Sequence, residues 1–172
     1  LVKWTNWWFK ARDDDGDGVP QYNHGNESGW DNGTVFASGV PVESPDLMGY
    51  LVLQMDVLAE IAAKLGKDDE ATAWKQQSAD LLQKLIDHAW NGEQFIAKKS
   101  GTHTVPDGDS ALVFMPLVLG DLLEKPMRDK LVNGLRRFVT DHGVATEHPD
   151  SHYYTPDGYW RGPIWAPSTY LL

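Results

Sequence analysis

Two stretches of this chain leave little freedom of fold. From Asp46 to Leu65 the apolar residues Leu47, Leu51, Met55, Leu58, Ala62 and Leu65 recur at spacings of three or four, which places them on one face of an α-helix. From Asp68 to Trp90 a second stripe runs through Ala71, Trp74, Leu81, Leu85 and Ala89. Acidic residues fill its first turn, where the helix dipole favours them. Gly66 stops the first helix and Asn91-Gly92 closes the second. A connection this short makes the pair an antiparallel hairpin.

The rest of the chain extends the pattern. Leu1–Arg12 reads as the end of a helix. Asp109–Leu119 predicts a third full helix, apolar enough to be buried on most sides, with Pro116 as a point of kinking. Pro126–Thr140 predicts a fourth, with Met127, Leu131, Leu135 and Phe138 on one side, and a last helix starts at Ile164 or Trp165. Glu93–Lys98 reads as a short strand or an extended loop. Between these lie two long loops, Asp13–Ser44 and Val144–Pro163, rich in Gly, Asp, Asn and aromatic residues. Long ordered loops in compact domains usually carry function. The fold class is all-α, with helix pairs whose loops gather at one rim, as in a helical barrel. Its 172 residues suit one domain. A full ring of six hairpins needs roughly twice that length, so the chain is expected to continue beyond Leu1 and Leu172.

Composition narrows the partners. Lys and Arg number 15 against 25 Asp and Glu, a net charge of −10. That sign disfavours nucleic acid and an anionic membrane surface, and no apolar run approaches the ~20 residues that span a bilayer. A soluble protein of cytoplasm or periplasm is expected. The absence of cysteine removes disulfides and thiolate metal sites. His142, His148 and His152 do not share one helix face at metal-ligand spacing, so no zinc motif is read there. Half a toroid would expose apolar helix faces, and self-association through them follows as an expectation.

Three segments carry candidate chemistry. Asp13-Asp14-Asp15-Gly16-Asp17-Gly18-Val19 has the first half of a calcium loop: side chains of Asp13, Asp15 and Asp17, the carbonyl of Val19, and a glycine at the sixth position. The twelfth position is His24 rather than Glu, so a further ligand is needed, and Glu27 or Glu43 could supply it. Carboxylates this close repel one another without a cation. Asn23-His24-Gly25-Asn26-Glu27-Ser28-Gly29-Trp30-Asp31-Asn32 places two carboxylates, Glu27 and Asp31, in one polar loop. Glycoside hydrolysis needs such a pair, and a ring such as Trp30 raises the pKa of a carboxyl it desolvates. His24 could touch substrate from the same loop. Tyr153-Tyr154-Thr155-Pro156-Asp157-Gly158-Tyr159-Trp160-Arg161-Gly162-Pro163-Ile164-Trp165 alternates aromatic residues with an arginine, which suits a sugar-binding wall. Of the eight tryptophans, Trp74 and Trp90 belong to helix packing, while Trp30, Trp160 and Trp165 sit among polar loop residues.

Glu27-Ser28-Gly29-Trp30-Asp31-Asn32 together with Tyr159-Trp160-Arg161-Gly162-Pro163-Ile164-Trp165 resembles glycoside hydrolase family 63, and is similar to the trehalase family, over the chain from about Trp8 onward. The resemblance implies an (α/α)6 barrel and an inverting, exo-acting α-glycosidase for α-glucosides or for mannosyl- or glucosylglycerate. It implies that Asp31 is the general acid, and that Trp30, Asn32, Trp160, Arg161 and Trp165 line the subsite of the cleaved sugar. It also agrees with calcium near the acid loop. Many members follow the acid with Asn-Ser-Pro-Arg; this chain has Asn32-Gly33-Thr34-Val35. The family's base is a glutamate farther along than the Trp160 segment, so it is expected outside this chain. Glu147 is the nearby carboxylate to weigh against it, and it suits substrate binding or loop support better. Two other readings stand beside this one. A non-catalytic calcium- and sugar-binding helical module would lack the second carboxylate. A toroidal isomerase or lyase would want a histidine beside Asp31.

Overall fold

The computed structural model describes residues 1–172. Its frame is five α-helices: α1 (Val2–Ala11), α2 (Pro45–Lys64), α3 (Asp68–Ala89), α4 (Lys125–Leu135) and α5 (Ala166–Leu171). Pro45 opens the first turn of α2, where its missing N–H costs nothing. One face of α2 buries Leu47, Leu51, Met55, Leu58 and Ala62, while α3 buries Trp74, Leu81, Leu85 and Ala89. The two form the expected hairpin, and the Ser78 hydroxyl seals it by donating to the Val52 carbonyl at 3.1 Å. Each such aliphatic side chain contributes roughly 1.5–3 kcal/mol on burial.

The third helical segment differs from expectation. Ala111–Leu122 is a 3-10 helix, broken at Gly120 with φ 54° and ψ −124°. A proline inside the segment supplies no backbone donor, and the break needs the left-handed backbone that glycine adopts without strain. Ala111 to Pro116 and Leu119 are buried, packed between α2 and α4. Helix α4 also ends earlier than the sequence suggests. A 3-10 turn at Arg136–Phe138 follows it, and then a hairpin of β3 (Val139–Thr140) with β4 (Gly143–Val144). The β-branched Val139 and Thr140 followed by Asp141-His142-Gly143 favour the hairpin over more helix. Phe114 and Phe138 meet edge to face at 5.5 Å and join this end to the core.

The remaining strands are short, and they position the loops. β1 (Val42–Glu43) pairs antiparallel with β2 (Lys98–Lys99), with Glu43 opposite Lys98. Single bridges link Tyr22 to Val42, Ser110 to Glu147 and Ala145 to Ile164. They hold both long loops against the helices. No helix is long and apolar enough to cross a membrane.

A buried acid sits at the start of α2. Asp46 is 2% exposed and accepts hydrogen bonds from Ser44 and, at 2.9 Å, from the Tyr22 hydroxyl. Burial pushes its carboxyl up to about 6, and those donors pull back against the rise. The folded chain therefore keeps a proton that the unfolded chain releases near pH 4, so this group's contribution to stability falls as pH rises from 4 to 6. The loss amounts to about 3 kcal/mol. Urea unfolding of wild type and Asp46→Asn is expected to show the variant gaining that much relative stability between pH 4 and 7. A pH-independent difference would remove Asp46 as the titrating group.

Candidate active site and candidate metal cluster

The acid loop is built on a clamp. At the end of α1 the Arg12 guanidinium donates to Glu27 with Nε–Oε1 at 3.0 Å and Nη2–Oε1 at 2.6 Å, while lying 4.4 Å from the Trp7 ring centroid. The Asn23 amide donates to Glu27 at 2.7 Å. Burial by itself would raise the Glu27 carboxyl, but the hydrogen bonds from Arg12 and Asn23 outweigh it and hold the group below its usual value. Glu27 is thus committed to the loop's own structure. His24 caps the 3-10 turn Gly25–Glu27, its Nδ1 accepting from the Asn26 amide at 3.1 Å. The Ser28 hydroxyl donates to the Gly25 carbonyl at 2.6 Å and accepts from the Trp30 amide at 3.0 Å. This winding leaves Asp31 half-buried at the loop's crest.

The second long loop closes on the first. Asn32 Nδ2 donates to the Gly158 carbonyl at 3.0 Å, and its Oδ1 accepts from the Trp160 amide at 2.9 Å. Arg161 Nε donates to the Asn32 carbonyl at 2.7 Å. The Gly162 amide donates to Thr146 Oγ1 at 3.0 Å. Tyr159 Oη then donates to Asp31 Oδ2 at 2.8 Å, and accepting that bond the Asp31 carboxylate holds the tyrosine hydroxyl above its ordinary value. Tyr159 has φ 64°, a conformation uncommon for a bulky residue that persists only where its surroundings over-determine it. Here Trp165 Nε1 fixes it by donating to its carbonyl at 2.8 Å.

Beside this pair stand three indoles. Trp30 stacks on Trp160 at 4.9 Å, and Trp160 stacks on Trp165 at 4.6 Å. Trp30 and Trp160 are buried and Trp165 half-buried. Trp160 Nε1 is buried without an acceptor in the chain. The structure thus brings together Asp31, Trp30, Asn32, Tyr159, Trp160, Arg161 and Trp165 from segments more than a hundred residues apart. Glu147 lies to one side and is fully buried. It accepts from Thr34 Oγ1 at 2.5 Å, the Asp109 amide at 2.9 Å and Ser151 Oγ at 2.6 Å. Those donors come from three loops, so Glu147 ties the acid loop to its neighbours.

The Asp13–Val19 loop leads elsewhere. Asp13 spends its carboxylate on the amides of Gly16 and Gly18, both at 3.0 Å. Asp17 accepts from the Val19 amide at 2.7 Å, and Val19 itself is buried in the core. The side chains that converge are those of Asp15, Asp17, Glu43 and His103, whose ligand atoms lie within 4.8 Å of one another and could hold a metal ion. His103 escapes the sequence reading because it lies 88 residues from Asp15 and arrives through the two-residue β1–β2 pairing. The set fits a divalent cation, but its imidazole departs from the all-oxygen cage that calcium takes.

Solved structures share this fold. The chain superimposes on a GH63 mannosylglycerate hydrolase from Thermus thermophilus in complex with Tris and D-glycerate, with TM-score 0.82, 15% identity and coverage of 99% of this chain and 55% of that one. The glucose complex of the Thermus enzyme gives TM-score 0.78 at 16% identity, covering 97% of this chain and 54% of that one. Neutral trehalase from Saccharomyces cerevisiae gives TM-score 0.56 at 20% identity, covering 73% of this chain and 23% of that one. The chain thus spans about half the length of the Thermus structures. No curated protein sequence matches it significantly. The fold is that of part of the helical toroid of glycoside hydrolases.

The family follows from the sequence itself. The model of the mannosylglycerate hydrolase MGH1-like glycoside hydrolase domain matches residues 1–172. The chain belongs to that family.

Proposed function

We propose that this domain belongs to an inverting, exo-acting α-glycosidase for α-glucosides or for mannosyl- or glucosylglycerate, with Asp31 as its general acid. The observation that carries this reading is the seat of Asp31: a half-exposed carboxylate, held by Tyr159 at 2.8 Å beside the Trp30–Trp160–Trp165 stack. Indole faces receive the apolar face of a sugar ring, and a carboxyl at their edge can reach the glycosidic oxygen. In the forward step the Asp31 carboxylic acid gives its proton to that oxygen as the C–O bond breaks. A water molecule, deprotonated by a second carboxylate, adds to the anomeric carbon from the opposite face. An inverting pair stands about 6.5–9.5 Å apart to leave room for that water.

Glu147 is a poor candidate for the base, since three donors already occupy its buried carboxylate. We place the base outside these 172 residues. Asn32 and Arg161 would act by holding Trp160 and Asp31 in register, and Trp160 Nε1 would donate to a bound hydroxyl or water. A divalent cation held by Asp15, Asp17, Glu43 and His103 would brace the loop before the acid segment and take no part in bond cleavage. The ligands named for the related Thermus structures, glucose and D-glycerate, set the first substrate panel.

Proton NMR of the sugar first released from α-glucosides and α-mannosides, by this chain or a longer form containing it, tests the stereochemistry. The β-anomer is expected before mutarotation. An α-anomer would overturn inversion and place a nucleophile within about 5–5.5 Å of the acid. A form containing the second carboxylate that binds these sugars without turnover would favour a binding module.

A further inference from the structure

We propose that, on the reading of Asp31 as the acid, Thr146 and Glu147 form a strut that sets the angle between the acid segment and the indole wall, which makes both of them positioning residues for Asp31. Glu147 is the starting point, a fully buried carboxylate that the bond-breaking step does not use. Its partners are two hydroxyls and one backbone amide, with no cation among them. A buried carboxylate is costly unless it is hydrogen-bonded. The contacts from Thr34 and Ser151, 2.5 and 2.6 Å, have the length of hydroxyls donating to a charged acceptor, which bind about twice as strongly as neutral pairs.

Neighbouring side chains on an extended segment face opposite ways, and here they reach opposite loops. After β4, Glu147 turns to Thr34, three residues past Asp31. Thr146 turns to the other loop, where its Oγ1 donates to the Pro163 carbonyl at 2.9 Å and accepts from the Gly162 amide at 3.0 Å. The segment between them is itself held. The Ala145 amide donates to the Phe138 carbonyl at 2.9 Å, the Ala111 amide to the Thr146 carbonyl at 3.0 Å, and the His148 amide to the Asp109 carbonyl at 2.9 Å. Thr34, Ala145, Thr146 and Glu147 are all fully buried. The Thr34 side chain also packs on Gly108, where an added Cβ would overlap it. The hydrogen bonds around Asp31 and Asn32 already join the two segments, but a single joint leaves rotation about itself. The strut is a second joint, two residues farther along each segment, at Thr34 and Gly162. Two separated joints fix direction as well as distance, and so fix where Asp31 points relative to a sugar on Trp160 and Trp165.

Near-ultraviolet circular dichroism of this chain reads the strut without turnover. The band of the Trp30–Trp160–Trp165 stack is taken as the part that Trp160→Phe removes. Thr34→Val and Thr146→Val are each expected to abolish most of that band with the far-ultraviolet spectrum unchanged, and Thr34→Ser and Thr146→Ser to keep it. The double Val variant should lose little more than either single one, because links in one network do not add, whereas independent packing sites do. In a form that turns over, each Val variant should lower kcat on a methyl α-glycoside roughly 10–100-fold with KM within about threefold, and spare the 2,4-dinitrophenyl glycoside. A wild-type band in both Val variants would overturn the proposal. So would losses that add in the double variant, losses that the Ser variants share, or an unchanged kcat where Asp31→Asn does lower it. Full kcat in Asp31→Asn would remove the acid alone, since the band does not depend on it.

Discussion

Asp31→Asn is expected to lower kcat/KM on an α-glycoside with an alkyl aglycone by about 10²–10⁴-fold, the range that a positioned proton donor contributes. The loss should fall on kcat. An amide matches the carboxyl in shape, and its oxygen can still accept the Tyr159 hydroxyl that now meets Asp31 Oδ2 at 2.8 Å. Asn32 would keep its hold on Gly158 and Trp160, so the indole stack would stay in place and KM would change little. What the amide cannot do is release a proton to a poor leaving group. Steady-state kinetics on the alkyl glycoside, with an unfolding curve for each protein, separate this from a folding defect. A variant that keeps full kcat would remove Asp31 from the chemistry.

Gly25→Ala is expected to be nearly as damaging, although it deletes no functional group. A Cβ at Gly25 would lie inside the van der Waals envelope of the Asp31 carbonyl oxygen, 2.9 Å from its carbonyl carbon and 3.3 Å from Phe36 Cδ2. The obstruction is backbone and cannot rotate away. The Asp31 peptide must move by a good fraction of an ångström, and a misplacement of about 1 Å at a reacting group costs on the order of 10²-fold in rate. Overpacking of this kind also costs about 1–3 kcal/mol of stability. Activity is therefore expected to fall about 100-fold while the far-ultraviolet spectrum stays native. Retention of wild-type rate would mean that the backbone at Asp31 does not set the position of the acid.

The helices legible in the sequence are those whose burial is one-sided. Met55 to Ala62 and Trp74 to Ala89 announce α2 and α3 because more exposed residues separate most of the buried ones, whereas Leu65 of the expected stripe is exposed beyond the end of α2. Ala111–Leu122 is apolar almost throughout, so no period distinguishes an α-helix from the 3-10 helix found there. The hairpin of Val139–Val144 is too short to interrupt a helical stripe that already includes Phe138. At the site, the residue types are readable but their partners are not. Glu27 and Asp31 look alike in one loop, and only the fold sets Arg12 against Glu27 and Tyr159 against Asp31. Asn32 reads as a group for substrate and Glu147 as one for substrate or loop support, and the fold gives their side chains to Gly158, Trp160, Thr34, Asp109 and Ser151. His103 could not be joined to Asp15 and Asp17, because the strands that bring it there are two residues long.

Whether Asp31 protonates the leaving group is tested most directly by comparing two leaving groups in one experiment. The ratio of wild-type to Asp31→Asn kcat/KM is measured for a methyl α-glycoside and for the 2,4-dinitrophenyl α-glycoside of the same sugar, using this chain or a longer form that turns over. A dinitrophenolate departs without protonation, so a missing acid matters little to it. A ratio of about 10²–10⁴ is expected for the methyl glycoside and one within roughly tenfold of unity for the dinitrophenyl glycoside. Equal losses on both substrates would contradict it, because Asp31 would then be acting on the water or on sugar binding rather than on the leaving group.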